Sequence, residues 1–430
     1  MPVASRYNIW SRADDGAALL FNGLTGALLE LSAEEEARVR AVLAAPGAVS
    51  SGDDVAEELL RVGCLVASHA EELARLEARA REGRSGRGGT MELVISPTWA
   101  CNFSCDYCYV EQWPGAMRAE TESAIARLVA QSIAPYDLVE ISWFGGEPLL
   151  RLDTVLRVSA AVRDVAAAAG KGHRFYVTTN GYLLDAPVAR RLVAAGVQYV
   201  HVTIDGTSEW HDRHRVLSDG SPTHARLVAN VNDALAAEPG LHVTVRSNVD
   251  EHNVSSVPAL LQEFSPELRA RIQVSVIPIK GAGTDPSAEL YRSINRAVTQ
   301  ALDMGYQYYG VQLPRARTGF CVAERRGNYH IGPDGSLYCC TPTDAKPAAL
   351  LGRLRPDGTP ELVAGYEARY DGDPFGADCR ACEHLAYCMG GCPLERDRPR
   401  DGACRTRYDD GEAMVRNLWR SVRPDARASG

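Results

Sequence analysis

Alternation of apolar and polar positions opens the chain. Between Tyr7 and Leu31 apolar residues recur at nearly every second place, broken by Asp14-Asp15-Gly16 and Asn22-Gly23. Such turn residues suit hairpins, so two or three short antiparallel strands are expected. Ser32 followed by Glu35 forms a capping box and predicts a helix to about Ala44. Asp54–Val62 and Ala70–Arg81 read as two further helices. The run Gly83-Arg84-Ser85-Gly86-Arg87-Gly88-Gly89 has the composition of a flexible linker. Residues 1–88 are therefore expected to form a small α+β domain of winged-helix size.

Beyond the linker the texture changes to α/β. Apolar strand-like segments fall at Glu92–Pro97, Leu138–Trp143, Arg174–Thr179, Tyr199–Ile204, Leu241–Val249 and Ile272–Pro278. Helix-length segments such as Glu120–Ala134, Leu152–Ala169 and Ala186–Ala195 lie between them. Six such repeats imply parallel strands joined by helices, with the chemistry at the carboxyl ends of the strands. From about Phe320 onward the chain turns loop-rich, with Gly and Pro between cysteines, and a compact core there would need metal staples.

Length and composition narrow the class. At about 150 residues per domain, 430 residues suggest about three domains. Hydrophobic residues at 45% and charged residues at 23% suit a globular chain and exclude disordered, collagenous or disulfide-only scaffolds. A formal charge of −9 disfavours general phosphate binding, so no nucleic-acid partner is expected. The sequence carries neither a signal-peptide core nor a run of about 18 apolar residues, which predicts a cytoplasmic protein with no membrane contact.

Twelve cysteines change this picture, because in a reducing compartment metal ligation explains them better than disulfides. They comprise Cys64, then Cys101, Cys105 and Cys108, then eight between Cys321 and Cys404. Three thiolates within Cys101–Cys108, directly after a strand, can hold three irons of a 4Fe–4S cube and leave one open. A zinc site is the alternative and normally wants four protein ligands. Cys64, alone in sequence, reads as a buried hydrophobe. The histidines form no metal-spaced pair, although His330 and His384 lie among the cysteine segments.

The Cys-x3-Cys-x2-Cys motif, with Tyr107 before its last cysteine, resembles the signature of the radical S-adenosylmethionine (SAM) superfamily. The resemblance implies a partial (β/α)6 barrel of TIM type at 89–315, in which SAM chelates the open iron and is cleaved by one electron to a 5′-deoxyadenosyl radical. It also implies roles for Gly145-Gly146-Glu147-Pro148 after the second strand. The glycines would permit close backbone approach, and the Glu147 carboxylate would suit the methionine ammonium. Asn180 at the end of the third strand, Thr203 and Asp205 at the end of the fourth, and Arg215 match further SAM-handling positions, Arg215 toward the carboxylate.

The carboxy-terminal cysteines resemble the SPASM extension of the same superfamily, a loop-rich iron–sulfur domain placed here at 316–430. Its pattern implies Cys321, Cys340 and Cys392 on auxiliary cluster I and Cys379, Cys382, Cys388 and Cys404 on cluster II. Together with the SAM cluster this makes three 4Fe–4S clusters. Cys339, beside Cys340, is either a fourth ligand of cluster I or leaves that cluster with an open iron. Most relatives of this kind modify ribosomally made precursor peptides, forming thioether, carbon–carbon or carbon–oxygen crosslinks. Residues 1–88 resemble the elements that bind a precursor's leader by strand addition, and flavodoxin or ferredoxin is the expected electron donor. Anaerobic sulfatase maturases share the pattern but carry Asp where this chain has Thr341, with Asp344 the nearest carboxylate. The pattern is also compatible with a small-molecule dehydrogenase or, for the cysteines alone, with a non-catalytic iron–sulfur carrier.

Overall fold

The computed structural model describes residues 1–48, 52–86, 89–279, 286–310, 321–341, 349–393 and 410–423. Its amino-terminal part opens with Val3–Ala4, paired antiparallel with Leu65–Val66, and continues with strands Asn8–Arg12, Ala18–Asn22 and Leu28–Leu31, paired antiparallel in that order. Ser32 then caps the helix Ala33–Ala44: its hydroxyl accepts the Glu35 N–H at 3.4 Å, and the Glu35 carboxylate accepts the Ser32 N–H at 2.8 Å. Asp53 and Ser68 cap the next two helices, Asp54–Arg61 and His69–Arg84. Cys64 is fully buried among Leu20, Leu59 and Leu65, as a hydrophobe would be.

The six expected parallel strands are all present, at Thr90–Ile95, Leu138–Trp143, Gly172–Thr179, Val197–Thr203, His242–Val249 and Ile272–Pro278. They pair in sequential order, which gives the open, partial barrel expected of this α/β fold. Two additions extend the sheet. Gln307–Tyr308 pairs parallel with the sixth strand, and Tyr329–Ile331 pairs parallel with the first. Antiparallel strands Ser336–Tyr338, Leu350–Leu354 and Pro360–Leu362 follow the latter, so the carboxy-terminal region grows out of the barrel sheet.

Each barrel strand has two unlike faces. Met91, Leu93, Ile95, Val139, Ile141, Trp143, Phe175 and Val177 are fully buried beneath helices such as Ala119–Ser132 and Leu152–Ala168. Their alternates, among them Glu92, Glu140, Tyr176 and His201, are only half-buried. Parallel strands covered on both faces read as continuous apolar runs; these alternate, so their concave face lines a polar, aromatic chamber.

The expected linker is part of the packed body. The third helix runs three residues past the predicted Arg81, to Arg84. Arg84 is buried, paired with Glu324 at 3.0 Å and donating to the Gly372 carbonyl at 2.8 Å. A Cβ on Gly86 would meet the Arg326 carbonyl oxygen at 2.0 Å. Composition suggested flexibility here, but long-range packing overrides it; Arg87 and Gly88 lie outside the described residues. The amino-terminal sheet is equally bound in, because Ala13, Leu19 and Phe21 share the barrel's core with Val415, Leu418 and Trp419. Those last three belong to the helix Gly411–Val422, wedged between that sheet and the barrel helix Ala288–Asp303. No helix among the described residues is long and apolar enough to cross a membrane.

Candidate functional site

The first strand ends at Ile95, and the chain then passes under the Gly145-Gly146 turn before reaching Cys101. A Cβ on Gly145 would lie 2.4 Å from the Thr98 carbonyl oxygen. One on Gly146 would lie 2.2 Å from the Ala100 oxygen and 2.4 Å from that of Trp99. The close approach that glycine permits is thus to the backbone leading into the cysteine loop. Gly146 N–H donates to the Thr98 carbonyl at 3.1 Å and Glu147 N–H to that of Ala100 at 2.8 Å.

The loop itself is clamped from a second side. Ser104 N–H donates to the Val216 carbonyl at 2.9 Å, and Ser218 N–H to that of Asn102 at 3.0 Å. The buried Phe103 anchors the loop from below, while its N–H donates to Cys101 Sγ at 3.3 Å. Burial pushes the Cys101 thiol up to about 12, and Glu147, Cys105 and Cys108 push the same way. Burial also raises Cys105, where Arg215 pulls back. Two thiols raised in this way ionise together only if positive charge is supplied, as iron does. Among the described residues no three His, Cys, Asp or Glu side chains gather tightly enough for a single metal ion. Thiolates of a four-iron cube bind separate irons and need no such gathering.

Glu147 is fully buried, and its carboxylate accepts the Thr179 hydroxyl at 2.7 Å, the Asn180 N–H at 2.7 Å and the Leu149 N–H at 2.8 Å. It staples the end of the second strand to the end of the third. Burial raises its pKa and those donors resist the rise. The carboxylate that the sequence assigns to the methionine ammonium thus also accepts from three protein donors. Asn180 donates from its amide to Asn102 Oδ1 at 2.8 Å and toward Cys101 Sγ at 3.8 Å.

Tyr107, Asp205 and Arg215 meet in a buried cluster at the fourth strand's end. The Tyr107 hydroxyl donates to Asp205 Oδ2 and accepts from Arg215 Nη1 at 2.7 Å. Asp205 Oδ1 accepts the Asn248 N–H at 2.8 Å, and the Asp205 N–H donates to His211 Nδ1 at 3.1 Å. Burial raises Asp205 and Arg215 lowers it. Arg215 Nε is buried without a hydrogen-bond partner, 4.0 Å from Asp205 Oδ2. An orphaned cationic donor beside the cysteine loop is a ready receptor for a ligand carboxylate. Thr203, the last residue of this strand, is buried and in register with Arg246.

The carboxy-terminal cysteines occupy two places. Cys321 and Cys340 are both half-buried against the barrel core, and Cys321 is pushed up to about 11 by burial and, further, by Cys340. The Cys339 side chain points the other way and is fully buried in the core. Cys379, Cys382 and Cys388 lie in a chain of tight turns, with Cys379 buried among Tyr7, Phe375, Leu385 and Met389. Cys392 is half-buried just beyond them; Cys404 and Asp344 lie outside the described residues. His384 accepts from or donates to the Tyr387 hydroxyl at 2.6 Å, and His330 is buried against Ser96 Oγ at 2.7 Å. Motif spacing does not disclose Tyr107 as a polar partner, nor the charged and aromatic concave face. A signal for the latter is present in alternations such as Met91-Glu92-Leu93 and Val139-Glu140-Ile141.

Residues 95–264 match the radical SAM superfamily. Fe-coproporphyrin III synthase of Methanosarcina barkeri is 27% identical over 192 residues, 45% of each chain, so this chain spans about half the length of that relative. Mycofactocin maturase MftC of Mycolicibacterium smegmatis is 27% identical over 318 residues, covering 69% of this chain and 76% of its own. Native anSMEcpe, solved with bound AdoMet and the Cp18Cys peptide, superposes with a TM-score of 0.60 at 18% identity, covering 77% of this chain and 96% of its own. Streptococcus suis SuiB bound to S-adenosylmethionine superposes at 0.50 and 15% identity, covering 91% and 95%.

Proposed function

We propose that this chain, a member of the radical SAM superfamily through residues 95–264, is an enzyme that cleaves SAM reductively and oxidises a ribosomally made precursor peptide. The observation that carries the reading is the doubly clamped Cys101–Cys108 loop, with the orphaned Arg215 Nε buried beside it. Cys101, Cys105 and Cys108 would hold the 4Fe–4S cluster, which when bound supplies the electron that generates the radical from SAM. Gly145 and Gly146 set the position of the loop, and Glu147 fixes the strand ends around it. Arg215 pairs with the SAM carboxylate, and Asn180, Thr203 and Asp205 line the remainder of the site.

Similarity to the PqqA peptide cyclase of Xanthomonas axonopodis pv. citri, 23% identical and aligned over 82% of its length, favours a peptide substrate. Cys321, Cys340 and Cys392 would serve one auxiliary cluster, and Cys379, Cys382, Cys388 and Cys404 another. Cys339 takes no part, since its thiol faces the core while Cys340 lies beside Cys321. The amino-terminal sheet, whose edges are Asn8–Arg12 and Leu28–Leu31, receives the leader by strand addition, and a flavodoxin or ferredoxin supplies electrons.

Anaerobic reconstitution tests this. Three clusters amount to about twelve irons per chain, and replacing Cys101, Cys105 and Cys108 together by Ala should remove about four. That variant should also cease to form 5′-deoxyadenosine; retained cleavage would overturn the radical reading. Coexpression with a short peptide gene from the same neighbourhood should give a peptide lighter by two hydrogens per modification.

A further inference from the structure

We propose that the concave face of the barrel sheet carries a subsite for an aromatic side chain of the substrate, walled by Tyr176, Tyr199, His201 and Tyr309. This rests on the peptide reading above and specifies what the peptide must present. The four rings, from the third and fourth barrel strands and from Tyr309 just after the edge strand Gln307–Tyr308, form one continuous surface. Tyr176 and Tyr199 lie 4.9 Å apart between centroids, Tyr176 and His201 5.6 Å, and His201 and Tyr309 5.8 Å. Their angles run from 31° to 71°, so edges and faces are both presented, and both geometries are favourable for another ring.

These rings are not needed to complete the core. On each strand the buried face already belongs to residues such as Phe175, Val177, Val200 and Val202, and Tyr308 fills the core immediately before Tyr309. Tyr309 is nevertheless 56% exposed, its backbone N–H fastened to the Val274 carbonyl at 2.8 Å. A rigidly held aromatic face left open inside a concave sheet is the usual construction of a ligand wall.

Charge selects among occupants. Glu92, Glu140 and Arg174 stand in register on three neighbouring strands, with Arg174 paired to Glu140 at 2.6 Å and Arg325 3.8 Å from Glu92. Two carboxylates facing three guanidinium groups, those of Arg174, Arg325 and the neighbouring Arg246, leave no excess negative charge to attract a Lys or Arg side chain. Burial and the nearby Arg246 hold the His201 imidazole down at about 4, so at neutral pH it presents an uncharged ring. Tyr176 and His201 each precede a SAM-site residue, Asn180 and Asp205, by four positions, about 13 Å along a strand. An aromatic side chain seated here therefore leaves its peptide backbone toward the strand ends, where the radical is generated.

The test uses reconstituted enzyme and three probes: N-acetyl-L-tyrosinamide, N-acetyl-L-phenylalaninamide and N-acetyl-L-leucinamide, with binding read by saturation-transfer NMR. The aromatic amides should bind and the leucine amide should bind at least about tenfold more weakly. Tyr309→Leu and His201→Leu should each weaken the aromatic probes by roughly 2- to 12-fold, the effect of one ring pair. Tyr309→Phe, which keeps the ring, should retain binding, and unchanged iron content and melting temperature would show the variants folded. Equal binding of all three amides, or affinity unmoved by both ring deletions, would overturn the subsite. Wild-type SAM cleavage is measured separately: its absence counts against the radical reading and leaves the probe result standing.

Discussion

Gly146→Ala is the sharpest perturbation of the cluster loop, because one methyl group meets two backbone oxygens. The added Cβ would sit 2.2 Å from the Ala100 oxygen and 2.4 Å from that of Trp99, about 1 Å inside ordinary contact, which begins at 3.4 Å. Gly146 lacks a positive φ, so the clash is the only backbone penalty. Neither oxygen yields easily, since the Gly146 and Glu147 N–H groups hold this same segment. Overpacking of this kind costs about 1–3 kcal/mol. Lengthening the two hydrogen bonds adds about 0.5–1.5 kcal/mol each. The sum, about 2–6 kcal/mol, falls on a loop that opens locally, so even its lower limit depletes the competent conformation about 30-fold. Iron content per chain, the SAM-induced change in the EPR of the reduced cluster, and 5′-deoxyadenosine formation should all fall. Gly372→Ala is the control, as its Cβ would meet nothing within 4 Å. Should Gly146→Ala keep the parental iron and cleave SAM within twofold of the parent rate, this turn does not clamp the loop.

Cys339→Ala should cost about 1 kcal/mol as a small core deletion and leave the iron count unchanged, whereas Cys340→Ala should lower it; the reverse pattern would make Cys339 the ligand. Burial, reinforced by Glu140 and opposed by Arg325 and Arg174, lifts Glu92 from 4.5 to about 7. The folded state therefore binds its proton more tightly than the unfolded chain. Its contribution is present below pH 4.5 and is lost as pH rises toward 7, by at most about 1.4 kcal/mol per pH unit. Glu92→Gln should then gain stability relative to the parent at pH 8 but not at pH 4; parallel urea midpoints at the two values would refute this. Deleting residues 1–88 should yield aggregated, iron-poor protein, because Val415, Leu418 and Trp419 lose the sheet they pack on; a stable truncated enzyme would show that the sheet is dispensable for folding.

Much of this protein was legible before folding. The strands Leu138–Trp143 and Ile272–Pro278 and the capped helix at Ser32 lie where periodicity and capping chemistry put them, because both signals are local. The cysteine spacing at Cys101–Cys108 is likewise local, eight residues inside the stretch 95–264 that matches the radical SAM superfamily. Tertiary structure decided what depends on distant partners. Gly83–Arg84 is helix, since Arg84 finds Glu324 across 240 residues. Glu147 is a buried staple, since Thr179 and the Asn180 N–H surround it. The sides on which Cys339 and Cys340 lie follow from strand pairing, and the aromatic wall exists only because parallel register sets Tyr176 beside Tyr199 and Thr178 beside His201. Composition and period describe a residue's own preferences; which neighbour meets it is settled only when the sheet assembles around it.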